Sequence, residues 1–224
     1  MEIDGLRVRE IDVEGAGRLA TRNLAPGVQV YGEKLAVMDG IEYREWDPFR
    51  SKLAGAIIKK LDAPLPASGD KVLYLGASTG TTTSHISDIV EEEGMIFGVE
   101  VSPRVAREFM DRVVAHRANV IPILEDARFP DRYVSFFGKA DLIYCDIAQP
   151  DQTEIAIRNC RAHLRNGGGL FHVVKARSID VSQDPATIFG EEVAKLKTEG
   201  LNVRHMVNLE PFDKDHALIY ATSA

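Results

Sequence analysis

An aspartate and a lysine, each closing an apolar run, are the residues of this 224-residue chain best suited to chemistry. Asp146 follows Leu142-Ile143-Tyr144-Cys145, and Lys175 follows Phe171-His172-Val173-Val174. A lysine where a buried strand meets a cleft calls for a charged partner. Together the two could hold a hydroxyl nucleophile and help remove its proton. Standing alone, Lys175 reads equally well as an exposed strand-end lysine. A second stretch, KVLYLGASTGTTTSHISD (71–88), stops an apolar run at Gly76-Ala77-Ser78-Thr79-Gly80 and continues in a row of threonines. Glu100 closes Ile96-Phe97-Gly98-Val99 and falls 20 positions after Gly80. An acidic residue at that separation can accept hydrogen bonds from both hydroxyls of a ribose. Glu125-Asp126-Ala127 ends the next run, where a carboxylate and a backbone amide could read an adenine edge. The alternative for each acid is a solvated strand end.

These residues need a scaffold that brings strand ends together. Seven apolar runs (72–75, 95–101, 120–124, 142–145, 170–174, 203–209 and 217–221) alternate with helical stretches near 82–93, 103–117, 152–165 and 187–199. Such alternation predicts an α/β fold with a mostly parallel sheet and helices on both faces. In that arrangement ligands sit beyond the carboxyl ends of the strands, where strand order reverses. The short connection Glu210-Pro211-Phe212-Asp213-Lys214 predicts an antiparallel hairpin for the last two strands. Upstream, residues 1–40 have the charged-apolar alternation and glycine punctuation of strands and turns. A helix is expected from Asp47-Pro48 to Leu61, with Leu53, Ile57 and Leu61 on one face. The linker 64–70, PLPASGD, divides a small N-terminal β-rich region with its connecting helix (1–62) from the main domain (63–224). Trp46 is expected to anchor the joint, His85 to pack or cap within its helix, and Glu91-Glu92-Glu93 to form a solvated helix end.

Composition narrows the field. Asp and Glu number 34 against 27 Lys and Arg, a formal charge of −7, which does not suit a free-standing nucleic-acid binder. Two cysteines, Cys145 and Cys160, make neither a disulfide framework nor a metal cluster. No basic-then-apolar leader opens the chain, and no apolar run approaches the roughly 20 residues of a membrane span. The expectation is a cytoplasmic protein without membrane contact and without a metal.

Ser78 stands where the dinucleotide fingerprint G-x-G-x-x-G requires its second glycine, so a pyrophosphate fits poorly. The looser G-x-S/T-x-G pattern resembles the loop of S-adenosylmethionine-dependent methyltransferases. That ligand has no phosphate, and its amino-acid end can be held by backbone groups and by hydroxyls such as those of Thr81 and Thr82. A strand-to-helix turn with threonine caps is the plain structural alternative.

Six segments in order, YREWDPFRSKLAGAI (43–57), KVLYLGASTGTTTSHISDIV (71–90), VIPILEDARFP (120–130), CDIAQPDQ (145–152), LRNGGGLFHVVKARSID (164–180) and EPFDKDHALIY (210–220), resemble fibrillarin in its compact archaeal form. The resemblance implies a Rossmann-like class I S-adenosylmethionine methyltransferase fold, a mostly parallel seven-stranded sheet with an antiparallel last strand, plus a small N-terminal β-rich subdomain. It implies guide-RNA-directed 2'-O-methylation of ribose in rRNA, and in tRNA. The chain would be the catalytic subunit of a box C/D ribonucleoprotein, beside a Nop-domain scaffold protein, a kink-turn-binding ribosomal-like protein, guide RNA and target RNA. By position it implies S-adenosylmethionine binding at Gly76, Ala77, Thr81, Thr82, Glu100, Val101, Asp126, Ala127, Asp146, Ile147, Ala148 and Gln149. The family's lysine–aspartate–lysine–histidine constellation matches Lys52, Asp146, Lys175 and His216. Val101 departs from the pattern, since many relatives carry an aromatic residue there. Without the resemblance Lys52 reads as part of a solvated basic face with Lys59 and Lys60, and His216 as a polar residue opening a strand.

Two other classes share these features. A small-molecule O-methyltransferase would keep the cofactor loop but usually adds a metal site or a lid over an apolar acceptor. A non-catalytic scaffold retaining the fold would be expected to lose the Asp146–Lys175 pairing.

Overall fold

The computed structural model describes residues 7–133, 135 and 138–224. Four strands, β1 (Val8–Val13), β2 (Ala16–Arg22), β3 (Leu35–Met38) and β4 (Ile41–Glu45), form an antiparallel sheet in the order β1-β2-β4-β3. Helix α1 (Lys52–Ile58) connects it to the rest of the chain and starts later than Asp47-Pro48. Asp47 causes the delay: its carboxylate accepts from Phe49 N at 2.8 Å and its carbonyl from Arg50 and Ser51, winding residues 48–50 into a turn. The Ser51 side chain then accepts from Ala54 N and caps the helix.

The second sheet is built from β5 (Lys71–Leu75), β6 (Met95–Glu100), β7 (Val120–Leu124), β8 (Ala140–Cys145), β9 (Leu164–Lys175), β10 (Asn202–Asn208) and β11 (His216–Thr222). Its order is β10-β11-β9-β8-β5-β6-β7. Strands β7, β6, β5, β8 and β9 run parallel, and β11 is antiparallel to both β9 and β10, as the short 210–214 connection predicts. Helices α2 (Thr81–Val90), α3 (Pro103–Arg112), α4 (Gln152–His163), the short α5 (Ala176–Ile179) and α6 (Pro185–Thr198) complete the fold. β9 begins six residues before the apolar run at Leu170. Its first part, Arg165-Asn166-Gly167-Gly168-Gly169, is polar and glycine-rich, so it carries no strand signal.

Alternation along each strand sends side chains to opposite faces. Val72, Tyr74, Ile96, Tyr144, Phe171 and Leu218 pack against α1, α2 and α3, while Leu73, Leu75, Phe97, Ile143, Leu170 and Ile219 pack against α4 and α6. The N-terminal sheet joins the first of these cores through Val8, Leu19, Val30 and Trp46. Trp46 is fully buried and stacks on His85 with ring centroids 4.9 Å apart, which makes it the packing anchor of the joint. His85 is also fully buried, between Thr21 Oγ1 and Tyr31 Oη, each at 2.8 Å from a ring nitrogen. Burial and the nearby Arg44 and Arg117 push its pKa well down, so the ring is a neutral packing element.

A buried charge cluster ties the two sheets. Arg44 pairs with Glu33 at 2.5 Å and with Asp88 at 2.9 Å, and Arg117 reaches the other Asp88 oxygen at 2.5 Å. Burial opposes the Arg44 charge, but Asp88 and Glu33 outweigh it and raise its pKa. Glu91 differs from the expected solvated run: it is half-buried, has φ of 61° and pairs with Arg7, while Glu92 and Glu93 are exposed.

Candidate active site

The chain passes from β5 through β6 to β7 on one side and then from β8 to β9 on the other, so strand order reverses between β5 and β8. A cavity of about 470 Å³ opens there, at the carboxyl ends of β5 to β9. The glycine loop forms one wall. Gly76, with φ of +82°, lies so close to the β8 end that a Cβ on it would stand 2.8 Å from the Asp146 carbonyl. Gly80 (φ +94°) enters α2 under Phe109, where a Cβ would meet the ring at 2.8 Å. The Gly76 and Ala77 amides both donate to Val99 O, at 2.9 and 3.0 Å, which pins the loop to β6.

Glu100 is held by two backbone amides. Its two oxygens accept from Ser78 N at 3.0 Å and from Ser102 N at 2.9 Å. Each oxygen keeps a lone pair for a further donor. Asp126 also lines the cavity, chelated by Arg128, which with the Arg128 amide holds its carboxyl below the ordinary range. Of the residues expected at a cofactor, Gly76, Glu100, Val101, Asp126, Ala127, Asp146, Ile147, Ala148 and Gln149 line this cavity. Ala77, Thr81 and Thr82 stand beside the lining rather than in it. The Thr82 hydroxyl is buried and lies 3.0 Å from Ser51 Oγ, within hydrogen-bond distance.

The second group of residues meets at Asp146. Lys175 Nζ lies 2.8 Å from Asp146 Oδ1, a charge contact off the hydrogen-bond direction, and donates to the Asp146 carbonyl at 3.0 Å. Lys52 Nζ donates to Asp146 Oδ2 at 3.2 Å. Beyond it Asp213 bridges outward, 3.5 Å from Lys52 Nζ and 2.9 Å from His216 Nδ1. The expected Lys52, Asp146 and Lys175 are therefore joined in one chain of charges, which Asp213 carries on to His216, whose Nδ1 also lies 2.6 Å from the Lys214 carbonyl. Burial disfavours the Lys52 ammonium, but Asp146 and Asp213 outweigh it and its pKa rises. Burial likewise opposes the Asp213 carboxylate, and His216 and Lys52 pull its pKa down. Tyr74 and Tyr144 stack behind the site at 4.6 Å, and burial, with the Asp146 charge added, keeps both phenols neutral. His172 beneath Lys175 is pushed down to about 4 by burial and is neutral as well.

Asp213 went unassigned in the sequence because a loop acid between Phe212 and Lys214 looks like any exposed turn residue. Its only signal is the i, i+3 spacing to His216. Ser78 and Ser102 act through backbone amides, which no side-chain pattern reports. Among the described residues no cluster of His, Cys, Asp and Glu is arranged to hold a metal ion, and no helix is long and apolar enough to cross a membrane.

Sheet order, switch point and acidic cavity define a class I S-adenosylmethionine-dependent methyltransferase fold. The Fibrillarin family profile matches residues 4–224, nearly the whole sequence. A fibrillarin-like rRNA/tRNA 2'-O-methyltransferase of Sulfurisphaera tokodaii is 54% identical over 93% of this chain and 89% of its own. Aeropyrum pernix fibrillarin, whose crystal structure contains natively bound S-adenosyl-L-methionine, superposes with a TM-score of 0.87 at 48% identity, over 96% of this chain and 92% of that one. Fibrillarin from a fibrillarin/Nop5p complex superposes at 0.86 with 39% identity, over 97% and 98%. The chain belongs to the fibrillarin family.

Proposed function

We propose that this chain transfers a methyl group from S-adenosylmethionine to the ribose 2'-hydroxyl of RNA, as the catalytic subunit of a box C/D ribonucleoprotein in which a guide RNA selects the nucleotide. The observation that carries the reading is the pair of lysines on the two oxygens of Asp146, beside an acidic cavity at the switch point. The 2'-O-methyltransferase relative and the neighbour holding S-adenosyl-L-methionine support it.

The cavity suits that cofactor. Glu100, Glu125, Asp126 and Asp146 line it against Arg128 and Lys175, a negative balance that fits a sulfonium and an ammonium. Glu100, fixed by two amides, would take the ribose hydroxyls. Asp126 and Ala127 would meet the adenine. Asp146 to Gln149, with Gly76, Ala77 and the start of α2 at Thr81 and Thr82, would close around the amino-acid end. Bound S-adenosylmethionine supplies a methyl group already activated on sulfonium, so the residues of this chain have to align the acceptor hydroxyl and let its proton pass to solvent. Lys175, steadied by Asp146, orients the hydroxyl and stabilises the negative charge that develops on its oxygen. Lys52 does the same from α1, and His216 through Asp213 steadies Lys52.

A −7 chain needs help to hold RNA. The fibrillarin/Nop5p complex supports a Nop-domain scaffold as that help. A kink-turn-binding protein and a box C/D guide RNA complete the proposed particle, with base pairing choosing the target. The test is transfer of labelled methyl in the reconstituted particle to a guide-paired RNA and to the same RNA carrying 2'-deoxyribose at the target position. Label in the first and none in the second is the expected outcome. No label in either, with S-adenosylmethionine binding intact, would remove the proposal.

A further inference from the structure

Pairing of β9 with β8 stops at Cys145 opposite His172, while on its other edge β9 stays paired with β11 as far as Lys175 opposite His216. The last residues of β9 therefore border the cleft with no strand on the β8 side. A single side chain fills the gap. Gln152, first residue of α4 and fully buried, accepts from Lys175 N at 2.9 Å through Oε1, and its Nε2 donates to Lys175 O at 3.3 Å. The side-chain amide thus offers Lys175 the donor and acceptor that a neighbouring strand would have offered. Nε2 also donates to Gln149 O at 3.0 Å, in the loop that leads from Asp146.

We infer that Gln152 is a positioning residue: it sets the place of the Lys175 backbone relative to the 146–149 loop, and so where the Lys175 ammonium meets Asp146. Burying an amide is costly unless its polar atoms are bonded. Here both are bonded, and all partners belong to Lys175 or to the loop. The start of α4 does not need this side chain, because the Gln152 backbone N–H reaches Gln149 O by itself at 3.3 Å. The inference rests on the proposed role of Lys175 at the acceptor hydroxyl.

Replacement by the apolar Gln152→Met keeps the volume and removes the clamp. In single-turnover transfer with the reconstituted particle, Q152M lowers the rate about 10- to 100-fold, the scale of a misplaced catalytic group. Affinity for S-adenosylmethionine, measured by calorimetry on the full chain, stays within about threefold because the backbone bond still anchors the loop. In a Lys175→Ala background Q152M has no further effect on the rate, a coupling that general loosening of the fold would not produce. Amide exchange gives a readout independent of RNA: the Lys175 N–H exchanges at least about tenfold faster in Q152M while the β5 and β8 amides are unchanged. Should Q152M fail to fold, Gln152→Asn, too short to reach Lys175, takes its place in each arm. An equal rate loss with and without Lys175, an unchanged rate in the single variant, or an unchanged Lys175 amide would overturn the inference. Should the unmutated particle transfer no methyl at all, the functional reading fails, and the amide exchange still decides whether Gln152 holds Lys175.

Discussion

Asp213 Oδ2 stands 3.5 Å from Lys52 Nζ, and this contact carries the charge chain from Asp146 out to the hairpin loop before β11. Its chemistry sets a pH dependence. The Asp213 carboxyl lies below its ordinary value in the folded protein, so its stabilisation is complete above the unfolded value near 3.9 and is lost as pH falls through the folded one. Lys52 is shifted upward, so its share is complete below about 10.4 and lost as pH rises through its folded value. Asp213→Asn should cost on the order of 1 kcal/mol at pH 7. Thermal melts should show this deficit shrinking as pH falls below about 3.9; a deficit that does not shrink in acid would contradict the assignment.

Lys175→Ala removes the group aimed at the acceptor and leaves the rest of the cavity lining in place. Methyl transfer is expected to fall by about 10²- to 10⁴-fold, with S-adenosylmethionine affinity changed less than about threefold. Parallel loss of binding and rate would move Lys175 from chemistry to cofactor holding.

Glu100→Ala reverses that pattern. Hydrogen bonds to a charged group contribute about 1.5–3 kcal/mol each, so the dissociation constant should rise by at least about tenfold and transfer should recover when the cofactor is raised. Titration calorimetry followed by rate measurement at saturating cofactor checks both halves.

Arg44→Met leaves Glu33 and Asp88 buried without their shared cation. Breaking a buried pair costs about 3–5 kcal/mol. For a chain of this size that lowers the melting temperature by roughly 10 °C, which differential scanning fluorimetry would detect; a shift under about 2 °C would mean that water enters the cluster.

The parts of the site legible in the sequence are those whose signal is local. Val72 to Leu75 followed by Gly76 marks a buried strand and a tight turn, and the interval from Gly80 to Glu100 marks the acid at the end of the next strand. Asp146 and Lys175 were readable as strand ends, because an apolar run that halts at a charge indicates where a buried strand reaches water. What escaped depends on contacts between distant segments. Thr82 is a hydroxyl of the right type whose partner is Ser51, on the far side of the linker. Gln152 looks like an ordinary polar residue opening a helix, and only the early end of β8 reveals the backbone it satisfies. The glycine run in β9 lacks the side chains that announce a strand, and its pairing is imposed by β8.

The charge chain draws on α1, the ends of β8 and β9, and the β10–β11 hairpin, so no single strand or helix contributes more than one member to it. A nascent or partly unfolded molecule has scattered lysines where the finished one has a focused site. The site is complete only once α1 and the last hairpin have both docked on the ends of β8 and β9.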